Sequence, residues 1–202
     1  MFFFGVNSLF AASPDTAKEN SSAEKTLEAK DVVLVFQDEL LKVMAEGKEL
    51  GFQGRYKKLE SAIIKSHDLT KIARIVIGKE WKKLSEKQKL TLTDVFSRLS
   101  IASYAYNFKE LSGEYFEYIS EDKTARGGAI IHSMFVIPED KDVKFDYMLK
   151  KKAGHWKIIN IIANGVSDLA LKRSEYTSVL KREGFDTLIA KINEKMDNYA
   201  KQ

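Results

Sequence analysis

The side chains that most often carry out chemistry in proteins are few and scattered in this sequence. Its 202 residues include 0 cysteines and 3 histidines, which are His67, His132 and His155. The lack of cysteine excludes a thiolate nucleophile, a disulfide and a cysteine-ligated metal site. The histidines are far apart along the chain, which argues against a histidine-rich metal site. We therefore expect neither a metal nor a cofactor.

The remaining candidates for catalysis are weak. Ser66, His67 and Asp68 are the residue types of a hydrolase triad, but consecutive residues cannot easily form the relay that a triad needs. His132 lies in an apolar segment, where a hydrogen-bonded core histidine is the favoured interpretation. The glycine-rich phosphate-binding motifs and the zinc motif H-E-x-x-H do not occur. The sequence therefore favours a binding protein with no catalytic residues.

Charge is distributed along most of the chain and is missing from its start. The 33 basic and 29 acidic residues leave a net charge of +4, without the concentrated basic excess of a nucleic-acid-binding protein. Residues 1–12 are apolar and uncharged, too short to span a bilayer, and similar to the hydrophobic core of a secretory signal. We interpret residues 1–30 as a signal-like remnant with a polar linker, and residues 31–202 as a single domain.

The spacing of apolar residues predicts helices, then strands, then helices. The predicted helices cover residues 26–46, 56–65, 69–77, 85–106, 167–181 and 185–199. The predicted strands cover residues 115–119, 129–137, 143–150 and 155–163. Gly47, Gly51 and Gly54 are expected to end the first helix, and Leu59, Ile63 and Ile64 are expected to face inward. This order predicts an α+β fold with an antiparallel, four-stranded, curved sheet packed against several helices.

The second and fourth predicted strands are apolar on both faces. In the fourth, strict alternation places Trp156, Ile158 and Ile162 on one face and Ile161 on the other. An antiparallel sheet with one solvated face alternates apolar and polar residues instead. Either a helical layer covers each face, or an apolar pocket lies between the sheet and the helices. The pattern leaves both explanations open.

Several short motifs occur together in an ordered series. They are Arg55-Tyr56-x-x-Leu59, Asp68-Leu69-x-x-Ile72-Ala73-Arg74-x-x-Ile77-Gly78-x-x-Trp81, Tyr147-x-Leu149, Trp156-Lys157-Ile158, Gly165-Val166-Ser167 and Arg173-Ser174-Glu175-Tyr176. In this order they resemble the MlaC-type (toluene-tolerance) periplasmic lipid-binding proteins, from about residue 33 to residue 192. The segment after Ser167 is more similar to the HpnM branch, which is associated with hopanoid-producing bacteria.

The resemblance implies a function as well as a fold. It implies a carrier in the periplasm that holds phospholipid acyl chains in a deep apolar pocket between sheet and helices, and that is not an enzyme. Such carriers move lipid between an outer-membrane lipoprotein complex and an inner-membrane ABC transporter with a lipid-binding substrate-receptor subunit. The HpnM likeness leaves the ligand open between a phospholipid and a hopanoid. We expect a monomer with no nucleic-acid partner.

The motif positions and the apolar periodicity together suggest which residues line the pocket. The candidates are Phe96, Leu99, Tyr104, Ile131, Phe135, Tyr147, Leu149, Trp156, Ile158, Ile162, Val166 and Tyr176. Arg55, Arg74 and Arg173 are candidates for contacting a phosphate headgroup at the mouth. Each apolar candidate has ordinary core packing as its alternative, and each arginine has a structural ion pair as its alternative.

Two other classes of function remain possible at this point. An enzyme acting on an apolar substrate in the same pocket needs a polar catalytic pair, for which His132 and Tyr147 are the visible candidates. A protein-interaction adaptor needs a solid core without a pocket that accepts an acyl chain. The positions of His132 and Tyr147 and the presence of a cavity distinguish these classes from a carrier.

Overall fold

Six α-helices, one 3-10 helix (Gly78–Lys83) and a five-stranded antiparallel sheet form the part of the chain that the computed structural model describes, residues 27–201. The helices are α1 (Ala29–Ala45), α2 (Gly47–Ser66), α3 (Leu69–Ile77), α4 (Glu86–Asn107), α5 (Asp168–Glu183) and α6 (Phe185–Ala200). The strands are β1 (Tyr115–Thr124), β2 (Gly128–Val136), β3 (Val143–Lys152), β4 (His155–Ala163) and β5 (Val166–Ser167), in that order across the sheet. The predicted signal-like segment lies outside the described residues.

Local capping signals in the sequence set the starts of two helices. The Asp68 carboxylate accepts a hydrogen bond from the Lys71 backbone N–H at 3.2 Å and begins α3. Ser85 and Gln88 form both hydrogen bonds of a capping box, at 2.9 and 3.2 Å, and begin α4. Both caps satisfy backbone donors that the first helical turn leaves free. The predicted α+β order of elements and these two helix starts are confirmed.

The second helix begins earlier than its pattern predicts. Gly47 is its first residue, and Gly51, with φ 58°, kinks it without ending it. Gly47 lies so close to the chain after α4 that a Cβ there would come within 1.6 Å of the Lys109 carbonyl oxygen. Leu59 and Ile63 are buried as expected, but the expectation that Ile64 also faces inward is wrong: it lies one position after Ile63, points away from the core and is 52% exposed.

The sheet has five strands, and the prediction of four is wrong. Asn164 and Gly165 turn the chain with φ 48° and 80°. Val166 then pairs with Ala163, and Ser167 pairs with Ile162. A strand of two residues is too short to give a periodic signal, so its pairing arises only in the folded chain.

A β-bulge between β3 and β4 changes which residues share a face. Tyr147 and Leu149, two residues apart in β3, pair with Ile161 and Ile158, which are three apart in β4. The extra residue reverses the alternation from that point onward. Ile161 therefore lies on the same face as Ile158, and Ile162 lies on the opposite face. The prediction that Ile162 shares a face with Ile158 is wrong for this reason.

The helices and the sheet form two apolar clusters. The first joins α1 and α2 to the inner face of the sheet, with Phe36 and Tyr147 among its most buried members. The second joins α3, α4, α5 and α6 around Phe96 and Tyr176, whose rings meet at 5.6 Å. Among residues 27–201, no helix has both the length and the apolar character needed to cross a membrane. The two clusters leave a space between them.

Candidate functional site

A cavity of about 500 Å³ lies between α4, α5 and the inner face of the sheet. This volume is within the range of about 300–1,000 Å³ that is usual for small-molecule sites. Its apolar lining residues are Ile72, Phe96, Phe108, Phe135, Ile137, Val143, Phe145, Ile158, Ile161, Ala163, Val166 and Leu169. One wall of the cavity is formed by the helical cluster and the other by the sheet cluster. The cavity is the space that remains because these two clusters do not pack against each other completely.

Phenylalanine side chains form one wall of the cavity. Phe135 in β2 lies 5.9 Å from Phe108, 4.6 Å from Phe116 and 6.5 Å from Phe145, measured between ring centroids. Phe108 directly follows the last residue of α4, so the end of that helix places its ring against the sheet. Aromatic rings offer large apolar surfaces that pack against one another and against aliphatic chains. This wall is therefore suited to an alkyl ligand.

A buried hydrogen-bonded chain forms the polar part of the wall. The Ser66 hydroxyl donates to the Ala62 carbonyl at 2.6 Å, so its oxygen accepts from His67 Nδ1–H at 2.8 Å. His67 Nε2 is then the unprotonated nitrogen, and the Tyr104 hydroxyl donates to it at 3.1 Å. Burial lowers the pKa of His67 to about 3, so its imidazole is neutral at physiological pH. The cavity wall therefore carries no charge at this position.

We expect His67 to remain neutral, protonated on Nδ1, between pH 7 and pH 5. Since its unfolded-state pKa is near 6.5, its contribution to stability is present above that pH and is lost as the pH falls toward 3. Two-bond ¹H–¹⁵N spectra of the imidazole rings measure the tautomer directly. His132, whose pKa the Asp146 carboxylate raises, serves as the titrating internal control. An imidazolium spectrum for His67 at pH 5 would contradict the proton arrangement.

The charged side chains on the described cavity wall are Lys172 and Asp168, one helical turn apart in α5. Lys172 is 8% exposed, and its ammonium group forms an ion pair with the Asp168 carboxylate. The Asp168 side chain is 64% exposed. The cation thus belongs to the wall of the cavity, whereas its partner faces solvent.

The pair of residues that an enzyme would need is not assembled. His132 lies on the face of the sheet opposite the cavity, with Nδ1 2.6 Å from Asp146 Oδ1 and Nε2 3.1 Å from Asp122 Oδ2. It is hydrogen-bonded, as expected, but it is on the outer face and not in the core. Tyr147 is 2% exposed in the core on the inner face, and burial raises its pKa. Neither side chain lines the cavity.

The Ser66, His67 and Asp68 segment does not form a triad. The Ser66 oxygen accepts a hydrogen bond from the His67 imidazole and does not donate one to it, since the Ser66 hydroxyl donates to the Ala62 carbonyl. The Asp68 carboxylate caps α3 and lies 2.8 Å from Lys152 Nζ. Among residues 27–201, no three His, Asp or Glu side chains are grouped so as to hold a metal ion.

The structure distributes the predicted pocket residues over four regions: the cavity wall, the two apolar clusters and the outer face of the sheet. Phe96, Tyr104, Phe135, Ile158 and Val166 line the cavity. Ile131, Tyr147 and Leu149 lie in the sheet cluster, Leu99 and Tyr176 in the helical cluster, and Trp156 packs beside the sheet cluster with Lys151 Nζ 5.2 Å from its ring. Ile162 lies on the outer face, paired with Asp146. Contact of any of these residues with lipid remains a prediction.

The three candidate headgroup arginines lie away from the cavity lining. Arg55 is buried and donates to two backbone carbonyls, those of Ala105 and Gly47. Arg74 is exposed in the last turn of α3. Arg173 lies over Gly78, where a Cβ would come within 2.9 Å of its Nη2. A headgroup role for the arginines therefore has no support from their positions.

Several lining residues have only a weak signal in the sequence, or none. Phe145 shares its face with Tyr147 through simple alternation, so the pattern could have identified it. The bulge places Ile161 on the face opposite to the one that strict alternation predicts. Phe108 follows the end of α4, where the helical spacing of apolar residues no longer indicates which side is buried. Lys172 looks like an ordinary surface lysine of an amphipathic helix, and only the packing of α5 shows that it is buried.

Comparison with known proteins gives a family and a related structure. The family described as MlaC protein matches residues 35–194. The structure of a phospholipid-binding protein from Ralstonia solanacearum in complex with a phospholipid superimposes with a TM-score of 0.76 and 20% sequence identity, covering 86% of this chain and 99% of that one. The comparison with curated proteins gives no match. At this identity the structural likeness shows a common fold, and the family match covers most of the sequence. The chain therefore belongs to the MlaC family.

Proposed function

We propose that the protein is a periplasmic lipid carrier that encloses acyl chains in the cavity between α4, α5 and the sheet. The observation that supports this best is a cavity of about 500 Å³ with a wall built mainly of phenylalanine, isoleucine, leucine and valine. Its histidine is neutral, and the hydroxyl groups of Tyr104 and Ser100 donate to acceptors within the protein. A wall of this kind offers apolar contact to a ligand without reacting with it.

The thermodynamics of lipid in water explain why a carrier needs such a cavity. Each methylene group buried from water contributes about 0.8 kcal/mol, so a diacyl lipid with roughly 30 methylene groups gains some tens of kcal/mol from enclosure. A shuttle must recover most of this stabilisation in order to extract lipid from a bilayer. The headgroup can stay in water, which explains a site that is apolar inside and polar near α5.

The volume of the cavity sets how much lipid it accepts as it stands. A methylene group is close in size to a water molecule, which takes up about 30 Å³ of liquid. The cavity of about 500 Å³ therefore holds roughly sixteen such groups, equivalent to one acyl chain. We infer that a second chain enters only when α4 and α5 move apart from the sheet, or that it lies in the open mouth.

The location and the partners in this proposal are supported by membership of the MlaC family. We propose that lipid passes between an outer-membrane lipoprotein and the substrate-receptor subunit of an inner-membrane ABC transporter. The Ralstonia solanacearum protein of the same fold was solved with a phospholipid, which favours phospholipid as the ligand here. A hopanoid is the alternative ligand and is distinguished by its mass in the following experiment.

We expect the protein purified from a bacterial periplasm to carry one lipid molecule. Native mass spectrometry should show a mass above that of the polypeptide, and solvent extraction should release an intact lipid. The same protein after delipidation provides the polypeptide mass, and an unrelated periplasmic protein purified in parallel controls for adventitious lipid. A lipid-free protein that also fails to take up lipid from vesicles would exclude the carrier function. Hydrolysed or rearranged lipid in the extract would favour an enzyme.

A further inference from the structure

Lys172 occupies an unusual position for a lysine. Its side chain is 10% exposed, and it lines the cavity alongside aromatic and aliphatic residues. Lysine is rarely buried unless its charge is paired, because removing an ammonium group from water is unfavourable. The pairing is provided by Asp168, which is itself largely in solvent. The buried end of this ion pair is therefore the positive one.

Lys172 is also the positive charge available to a ligand on the described cavity wall. His67 is neutral there, and Asp168 is negative. Arg55 is occupied with the backbone carbonyls of Ala105 and Gly47, and Arg173 lies over Gly78. An anionic group that enters the cavity mouth therefore meets one ammonium group.

An anionic group of a ligand can replace Asp168 as the ion-pair partner of Lys172. The Asp168 carboxylate is largely in solvent, so it loses little when it turns from the ammonium group to water. A ligand phosphate or carboxylate would then accept a charge-assisted hydrogen bond from Lys172 in surroundings of lower dielectric than water.

We propose that Lys172 binds the anionic headgroup of the ligand and thereby selects anionic lipids over neutral ones. This inference rests on the proposed lipid-carrier function. It favours lipids that present a phosphate or a carboxylate next to the acyl chain, and it disfavours neutral lipids, including hopanoids without an acidic group. The apolar cavity holds the chain, and Lys172 sets which headgroup accompanies it.

The test measures binding of matched lipid pairs to the delipidated full-length protein. Phosphatidate is compared with diacylglycerol of the same chains, and palmitate with hexadecanol, by competition against a fluorescent fatty acid. We expect each anionic member to bind roughly tenfold tighter than its neutral partner. The Lys172→Met variant should lose this preference through weaker binding of the anionic lipids, with the neutral lipids unchanged. Lys181→Met, at an exposed position of the same helix, should behave as the wild type.

A second variant keeps the test decisive if Lys172→Met folds poorly. Asp168→Asn removes the competing carboxylate and frees Lys172, so anionic lipids should bind severalfold tighter, whereas a purely structural ion pair would give no gain. Equal binding of anionic and neutral lipids by the wild type would overturn the headgroup role and leave the carrier function intact. Failure to bind any of the four lipids would overturn the carrier function itself. A preference for phosphatidate without a preference for palmitate would assign the site to phosphate alone.

Discussion

Replacing Ser100 and Ser103 by tryptophan is expected to weaken lipid binding by about two orders of magnitude while the protein remains folded. Both serines lie in α4 and face the cavity. The Ser100 hydroxyl donates to the Phe96 carbonyl within the helix, and Ser103 accepts from Asn107, so neither holds separate elements together. Two indole rings would occupy space that the acyl chain needs. If they displace four methylene groups, at about 0.8 kcal/mol each, the affinity falls roughly two-hundredfold.

The measurement compares lipid affinity and thermal stability in the same samples. The unfolding temperature of the double variant should equal or exceed that of the delipidated wild type, because the indole rings fill a space between two apolar clusters. Arg98→Trp is the matched control, since Arg98 lies on the solvent side of α4 and is 45% exposed. It should bind lipid as the wild type does. Undiminished lipid content in a folded double variant would show that lipid binds elsewhere.

Replacing Arg55 by methionine is expected to lower the free energy of unfolding by roughly 2–4 kcal/mol without changing headgroup preference. Arg55 is 6% exposed, and its guanidinium donates to the Ala105 carbonyl at 2.8 Å and to the Gly47 carbonyl at 2.9 Å. These bonds connect the start of α2 to the last turns of α4. Burial lowers the pKa of this arginine, and nearby Glu110 partly compensates. Methionine fills the space and leaves two buried acceptors without donors.

Urea-induced unfolding of the delipidated variants measures this loss. Arg98→Met removes a surface arginine that pairs with Asp94 at 3.0 Å, and it should change stability by less than about 0.5 kcal/mol. Arg55→Lys should recover only part of the lost stability, because an ammonium group does not reproduce the forked geometry of guanidinium. The preference for phosphatidate over diacylglycerol should persist in all three variants. Its loss in a stable Arg55→Met protein would restore the headgroup role considered from sequence.

Features that depend on neighbouring residues were predictable from the sequence. The α3 cap at Asp68 and the capping box of Ser85 and Gln88 each involve residues three apart, so both can be recognised from the sequence alone. The order of helices and strands follows from local apolar periods in the same way. In the predicted site, Phe96 and Phe135 lie on the cavity wall because each belongs to the inward stripe of a long element.

Features that depend on distant residues were not predictable from these patterns. The bulge in β4 arises from its pairing with β3, and one extra residue moves Ile162 to the outer face and Ile161 to the inner face. β5 exists only because the turn at Asn164 and Gly165 brings two residues back beside β4. Arg55 and Lys172 look alike in sequence as charged residues on helices, yet one connects two helices and the other lines the cavity.

Local patterns along the chain were enough to predict the order of secondary-structure elements, the helix starts and an excess of large apolar residues beyond what one solvated sheet face needs. Each of these depends on residues within a few positions of one another, where chain geometry limits the outcomes. The packing of distant elements was needed to show that part of this excess lines a cavity of about 500 Å³ and that Lys172 is the cation beside it. A cavity is the space that two packed layers leave between them. Its position depends on strand register and helix packing, which long-range contacts determine.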